Sequence, residues 1–87
     1  TATAVGARLA RLGDDAQVVC VTHLAQIASC GDAHVALRKE SRADATTIEA
    51  LALDGEARRS EIARMLAGEE HGVALEHAAE LLAARGR

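Results

Sequence analysis

Apolar residues recur at helical spacing at the start of the chain. Val5, Leu9 and Leu12 stand at positions i, i+4 and i+7, with arginines on the opposite side. This spacing predicts an amphipathic helix over about Ala2–Leu12. Gly13 and the two aspartates that follow it predict a turn at its end.

A short apolar run follows this turn. Val18–Val21 reads Val-Val-Cys-Val, is rich in β-branched residues and is bounded by polar ones. Such a run is typical of a strand that is covered on both faces, as in a parallel sheet between helices. A helix, a turn and a buried strand in this order are typical of an α/β protein. The sequence therefore predicts a buried strand at Val18–Val21, with Thr22 and His23 at its carboxyl end.

The middle of the chain predicts a short helix and a hairpin. Leu24–Ser29 has a helical pattern, and the Cys-Gly-Asp sequence after it predicts a break. Alternating residues in His34–Lys39 and β-branched residues in Thr46–Leu53 predict two strands. The polar stretch between them predicts a connecting loop of about six residues, a usual length for such connections.

Two helices are predicted in the last third of the chain. Asp54 is a suitable N-cap for a helix over about Gly55–Ala67, and Gly68 is a suitable stop. A final helix is predicted over about Val73–Arg85, with Gly86 at its end. The apolar stripes that we expect to form the core are Ile62, Met65, Leu66, Leu75, Ala78, Ala79 and Leu82.

The composition indicates that this chain cannot bury all of its apolar surface alone. Its 87 residues are 49% apolar and include no Phe, Trp or Tyr. Each aromatic side chain buries about 150–250 Å², so a core of small aliphatic residues is thin. A parallel neighbour for the buried strand would also need a crossover of about a dozen residues or more. We therefore expect the missing sheet to come from preceding sequence or from another subunit.

Charge and cysteine content narrow the class of protein. The net charge of −3 argues against a free-standing nucleic-acid binder. Arg58 with Arg59, and Arg85 with Arg87, are therefore predicted to be solvated surface rather than DNA contacts. Two cysteines are too few for a disulfide scaffold and indicate a reducing cytoplasm. Neither a membrane-spanning run nor the pattern of a secretory signal is expected.

Four residues of metal-binding type lie close together in the sequence. Cys20, His23, Cys30 and His34 have spacings that a zinc site could use. However, Cys20 lies within the apolar run, where cysteine behaves as a small hydrophobe. Successive side chains of a strand also alternate between faces, which separates Cys20 from His23. We therefore predict no metal site here.

The most informative motif is Gln17–Ala28, which reads Q-V-V-C-V-T-H-L-A-Q-I-A. A strand that ends in Thr22 and His23 brings polar side chains to the edge where α/β sheets bind ligands. In this form the segment resembles the switch-histidine segment of ATP-binding-cassette-type ATPases, the group that includes the SMC proteins. Ala25 departs from the proline that this resemblance leads us to expect after Leu24.

Further stretches carry the same resemblance, specifically to the carboxyl-terminal ATPase lobe of a bacterial DNA-repair branch of this family. They read G-D-x-H, then L-D-G-E followed by E-I-A-R-M-L, and finally A-A-E-L-L. The resemblance implies that residues 1–87 are an incomplete part of a P-loop (ABC-type) ATPase head. The implied fold is α/β, with about three strands (one buried strand plus a hairpin) and about four helices. The Walker A, Walker B and coiled-coil segments would lie outside this chain, which contains no G-x-x-x-x-G-K-[ST] motif.

The resemblance also implies a function, in double-strand-break repair and recombination. ATP, with Mg²⁺ held by the missing part of the head, would lie between two heads that dimerise. Other implied partners are the remainder of the same head and DNA, which the intact protein would contact. No membrane partner is implied. The implied location is the cytoplasm, at the nucleoid. His23 is the implied catalytic residue and γ-phosphate contact, with Thr22 as a second candidate for cofactor binding. The chain alone would be inactive.

Other interpretations of the same residues stay open. His23, considered without its surroundings, is also compatible with a structural histidine, and Thr22 with a residue that holds the turn. The whole chain is compatible with a small interaction module whose thin core is completed by homodimerisation, without nucleotide.

Overall fold

The computed structural model describes residues 1–85, which form four helices and one two-stranded antiparallel sheet. The elements in chain order are α1 (Ala2–Leu12), α2 (Ala25–Ala28), β1 (His34–Ser41), β2 (Thr46–Leu53), α3 (Gly55–Ala67) and α4 (Val73–Ala83). The predicted α/β class, the helices and the hairpin are confirmed, whereas the strand count is two rather than three. The predicted helix end at Gly86 lies outside the described residues. None of the helices in residues 1–85 is long and apolar enough to cross a membrane.

The prediction of a strand at Val18–Val21 is wrong, because these residues form no strand in the structure. Within residues 1–85, no backbone hydrogen bond joins the segment 17–21 to another residue. Val19 and Val21 are 85% and 90% exposed. The physical reason is that a strand forms by hydrogen bonding to a neighbour, and the described sheet contains only the hairpin. The segment 17–21 is therefore β-forming sequence without a β partner.

The hairpin leaves one of its faces uncovered. β1 and β2 pair in register from His34 opposite Leu53 to Ser41 opposite Thr46. Successive side chains of a strand point to opposite faces. Ala36 is buried, whereas its neighbours Val35 and Leu37 are 58% and 66% exposed. The uncovered face agrees with the expectation that this chain buries only part of its apolar surface.

The core is built mainly from alanine. It comprises Ala25, Ile62, Ala63, Ala74 and Ala78, and partly buried leucines and Met65 pack at its edge. Ile62 is the largest fully buried hydrophobic side chain of the described residues. The predicted apolar stripes of the last two helices are therefore confirmed as the packed faces. Because Ala25 belongs to the core, the short helix α2 packs against α3.

Single residues are expected to mark the two ends of α3. Gly68 has φ 75° and donates its N–H to the Arg64 carbonyl at 2.7 Å, which confirms the predicted stop. Asp54 does occupy the N-cap position, but its side chain makes no capping hydrogen bond. The predicted N-cap position is therefore confirmed, without a capping bond from the carboxylate.

Helix α1 packs closely against α2 through Gly6. Gly6 is the buried residue of α1, and a Cβ atom built on it would lie 2.7 Å from Cys30 Sγ. The same atom would lie 3.0 Å from the backbone oxygen of Gln26. The glycine thus permits an approach of the two helices that any side chain would prevent.

Replacing Gly6 with alanine should therefore lower the free energy of unfolding by about 1–3 kcal/mol, because the backbone oxygen of Gln26 cannot turn away. Urea denaturation of the 87-residue chain measures this change. Adding Cys30→Ala should recover part of the loss, since it removes the nearer atom, and Cys30→Ala alone is the control. A Gly6→Ala chain as stable as the parent would contradict the close packing.

Candidate functional site

Thr22 and His23 form a turn directly before α2. The Leu24 N–H donates to Thr22 Oγ1 at 3.0 Å, which holds the turn in the way the sequence suggested for Thr22. Helix α2 begins at Ala25 without the proline of the resembled family. The His23 side chain is exposed. In residues 1–85, no hydrogen bond engages its ring.

A cleft of about 850 Å³ lies beside this turn. Its walls come from α1, the unpaired segment 17–21, the loop after α2, β1 and α3. His23 lines this cleft, as do Glu61 and Arg64 of α3. The His23 imidazole is thus exposed at a cleft of mixed polar and apolar lining and does not pack in the core.

The four residues of the considered zinc site all border the cleft, but they do not form a site. Cys30 Sγ donates to the Gln26 carbonyl at 3.3 Å, whereas Cys20 is exposed on the unpaired segment. Among residues 1–85, no three side chains of His, Cys, Asp or Glu are arranged to hold a metal ion. We therefore assign no metal role to Cys20, His23, Cys30 or His34.

Arg58 is buried against the loop after α2. It is 7% exposed, so the prediction of a solvated side chain is wrong. Its Nη2 atom donates to the Gly31 carbonyl at 2.6 Å and to the Ala28 carbonyl at 3.2 Å. Arg59, in contrast, donates to Glu56 at the surface, at 2.6 Å. Arg58 therefore binds backbone carbonyls inside the fold, whereas Arg59 forms an ion pair with a side chain of its own helix.

A second guanidinium reaches the same loop. Arg85 Nη1 donates to the Gly31 carbonyl at 2.9 Å. Burial, together with the charge of Arg85, lowers the pKa of Arg58, and the charge of Asp32 opposes this shift. One signal could have located Arg58: it stands four positions before Ile62, on the helix face that packs into the core.

His34, at the start of β1, faces charged residues of α3. Its Nδ1 atom is buried and has no hydrogen-bond partner within residues 1–85. Burial lowers the pKa of His34; the charge of Arg58 lowers it further, and that of Glu61 opposes both. Glu61 accepts a hydrogen bond from Arg64 Nε at 2.9 Å, and the bonds from Arg64 lower the pKa of its carboxyl group. Burial and the nearby charge of Arg58 thus favour the neutral form of His34.

The chain is similar over nearly its whole length to one group of curated proteins. It is 50% identical to the DNA repair protein RecN of Treponema pallidum over 88 aligned positions, which cover 100% of the chain and 15% of that protein. It is 48% identical to RecN of Deinococcus radiodurans over 82 positions, 94% of the chain and 14% of that protein. RecN of Streptomyces coelicolor is 45% identical over 82 positions, 93% of the chain and 14% of that protein. No protein-family model matches the chain.

The environment of His34 predicts a pH dependence of stability. Because the pKa of His34 is lowered in the folded state, the unfolded state takes up the proton first as the pH falls. Stability should therefore fall from about pH 7 to about pH 5, and His34→Gln should make this fall shallower. Urea midpoints at several pH values measure the slope. His77→Gln, on the exposed face of α4, is the matched control and should keep the parent slope; equal slopes in both variants would contradict the assignment.

Proposed function

We propose, because this chain belongs to the RecN family of DNA repair proteins, that it forms the carboxyl-terminal lobe of an ATP-hydrolysing head. In this proposal His23 is the catalytic residue and contacts the γ-phosphate. The observation that carries the proposal is that His23 is exposed in the turn before α2, at the edge of the cleft. Because the chain spans only 15% of the Treponema protein, the rest of the head would come from the remaining RecN sequence.

The residues of this chain fit a contribution to a nucleotide site rather than a complete one. ATPases of this class hold phosphates with a glycine-rich loop and a lysine, and the chain contains no such motif. It offers instead the imidazole of His23, on which both nitrogens are available. The Thr22 hydroxyl accepts one hydrogen bond from Leu24 and retains its own proton as a donor. Thr22 is therefore the second candidate for a phosphate contact.

The proposed chemistry requires little of the protein beyond position and polarity. In phosphoryl transfer the protein mainly orients groups and stabilises charge. Bound ATP with Mg²⁺ supplies the phosphoanhydride bond that water cleaves. In the neutral ring, one nitrogen of His23 would donate its N–H to a γ-phosphate oxygen, and the other nitrogen would accept a hydrogen bond from the attacking water and orient it. Thr22 keeps the ring in place by holding the turn.

The exposed apolar segments support a head that is completed by further polypeptide. Val19 and Val21 are almost fully exposed, and Val35, Leu37 and Ile48 are exposed on the hairpin. In a complete head, a neighbouring strand would pair with the segment 17–21 and bury its valines. Two such heads would enclose ATP, and DNA would be bound through the whole protein rather than mainly through this lobe. We place this protein in the cytoplasm at the nucleoid, without a membrane partner.

The same exposed surfaces also favour a second candidate, an interaction module that pairs with another copy of itself. The two candidates differ in what they require. The module dimerises as an 87-residue chain without nucleotide, whereas the ATPase lobe requires the remaining RecN sequence for any activity. ATP turnover of a full-length RecN protein separates them, because only the ATPase lobe predicts that this turnover depends on His23.

For the ATPase lobe, His23→Ala in a full-length RecN protein that carries this segment should lower ATP turnover about 100-fold or more, since a positioned acid–base group contributes about 10²–10⁴-fold. The Kd for ATP should change less than about threefold, because most phosphate contacts lie elsewhere. Steady-state hydrolysis and equilibrium nucleotide binding measure the two effects. His77→Ala, an exposed histidine of α4, is the control and should change neither. Unchanged turnover in His23→Ala would overturn the assignment.

A further inference from the structure

Helix α2 is a single turn with few backbone hydrogen bonds of its own. It comprises the four residues Ala25–Ala28, and five backbone hydrogen bonds within Leu24–Gly31 hold this segment. Its amino-terminal side is held by the hydrogen bond from Leu24 to Thr22. On its carboxyl-terminal side, Arg58 bonds the Ala28 and Gly31 carbonyls, and Arg85 also bonds the Gly31 carbonyl. The turn that carries His23 is therefore tethered at one end by Thr22 and at the other, through α2, by Arg58.

Packing alone does not explain an arginine at this position. Within residues 1–85, no carboxylate lies within salt-bridge distance of its guanidinium, and its buried Nε atom has no hydrogen-bond partner. A buried cation loses its hydration, so an apolar side chain of similar volume often stabilises a core as well or better. The specific contribution of Arg58 is geometric: one nitrogen atom bonds the carbonyl of the last residue of α2 and, unlike Arg85, joins it to a carbonyl of the following loop.

The contact of Arg58 links the loop after α2 to the helix that supplies Ile62 and Ala63 to the core. Arg58 lies on α3, four residues before Ile62, and it reaches a carbonyl 30 positions earlier in the chain. A displacement of α2 moves the adjacent His23. In a catalytic site, a shift of about 1 Å lowers the rate about 100-fold.

We propose that Arg58 is a positioning residue for His23: by holding the Ala28 and Gly31 carbonyls, it fixes α2 and the orientation of the turn before it. Arg58 does not touch the reacting atoms. The inference rests on the proposed role of His23, and it assigns to the buried arginine a role in hydrolysis that is separate from nucleotide binding.

The first test is Arg58→Met in a full-length RecN protein that carries this segment. Turnover should fall about 10- to 100-fold, while the Kd for ATP stays within about threefold, because the variant loosens His23 and not the phosphate contacts. Arg58→Lys should recover part of the rate, since an ammonium group can still donate to both carbonyls. Arg59→Met is the matched control, because this half-buried neighbour pairs with Glu56 and bonds no carbonyl of α2 or of the loop after it, and it should leave turnover unchanged.

The second test separates positioning from general destabilisation. In a His23→Ala background, Arg58→Met should cause no further loss of turnover, because the group that it positions is absent. An equal loss in both backgrounds would overturn the proposal, as would full turnover in Arg58→Met. If His23→Ala itself leaves turnover unchanged, the proposed function fails and the positioning role fails with it. If Arg58→Met does not fold, the same cycle is measured with Arg58→Lys, whose loss should again vanish in the His23→Ala background.

Discussion

The rest of the structure depends on how the four-residue helix α2 is anchored. A helix of this length has almost no stability of its own, because nucleation costs more than its few hydrogen bonds return. Ala25 enters the core, Gly6 lets α1 lie against α2, and Arg58 holds the carbonyl end. These three contacts come from different parts of the sequence and converge on one short segment. These contacts therefore also set the orientation of the turn before α2.

The alanine-rich core makes such polar anchors more important. The hydrophobic contribution of a buried side chain scales with its area, and alanine brings little area to a core. Apart from Ile62, the fully packed core residues are alanines. Small side chains do allow α2, α3 and α4 to approach closely. The backbone carbonyls at the end of α2 then come within reach of a guanidinium from α3.

Much of the fold could be predicted from sequence because its signals are local. The spacing of Val5, Leu9 and Leu12 predicts the bounds of α1, although Val5 and Leu12 are exposed, and the glycine at position 68 ends α3. The strand at Val18–Val21 could not be predicted correctly in the same way, because an apolar β-branched run becomes a strand only beside a hydrogen-bonding neighbour. The turn at His23 could be located from its motif. The role of Arg58 could not, because its carbonyl partners lie 27 and 30 positions away in the chain.

The unpaired segment 17–21 also bears on how such a protein assembles. It combines high β-propensity with an absence of charge and proline, and its backbone groups have no intramolecular partner within residues 1–85. Sequences of this kind act as templates for pairing between molecules when they remain uncovered. During synthesis, correct docking of this segment would therefore compete with self-association. The helices form from local contacts, whereas the segment 17–21 pairs only after a neighbouring strand is present. The rate of that docking would therefore govern the yield of folded protein.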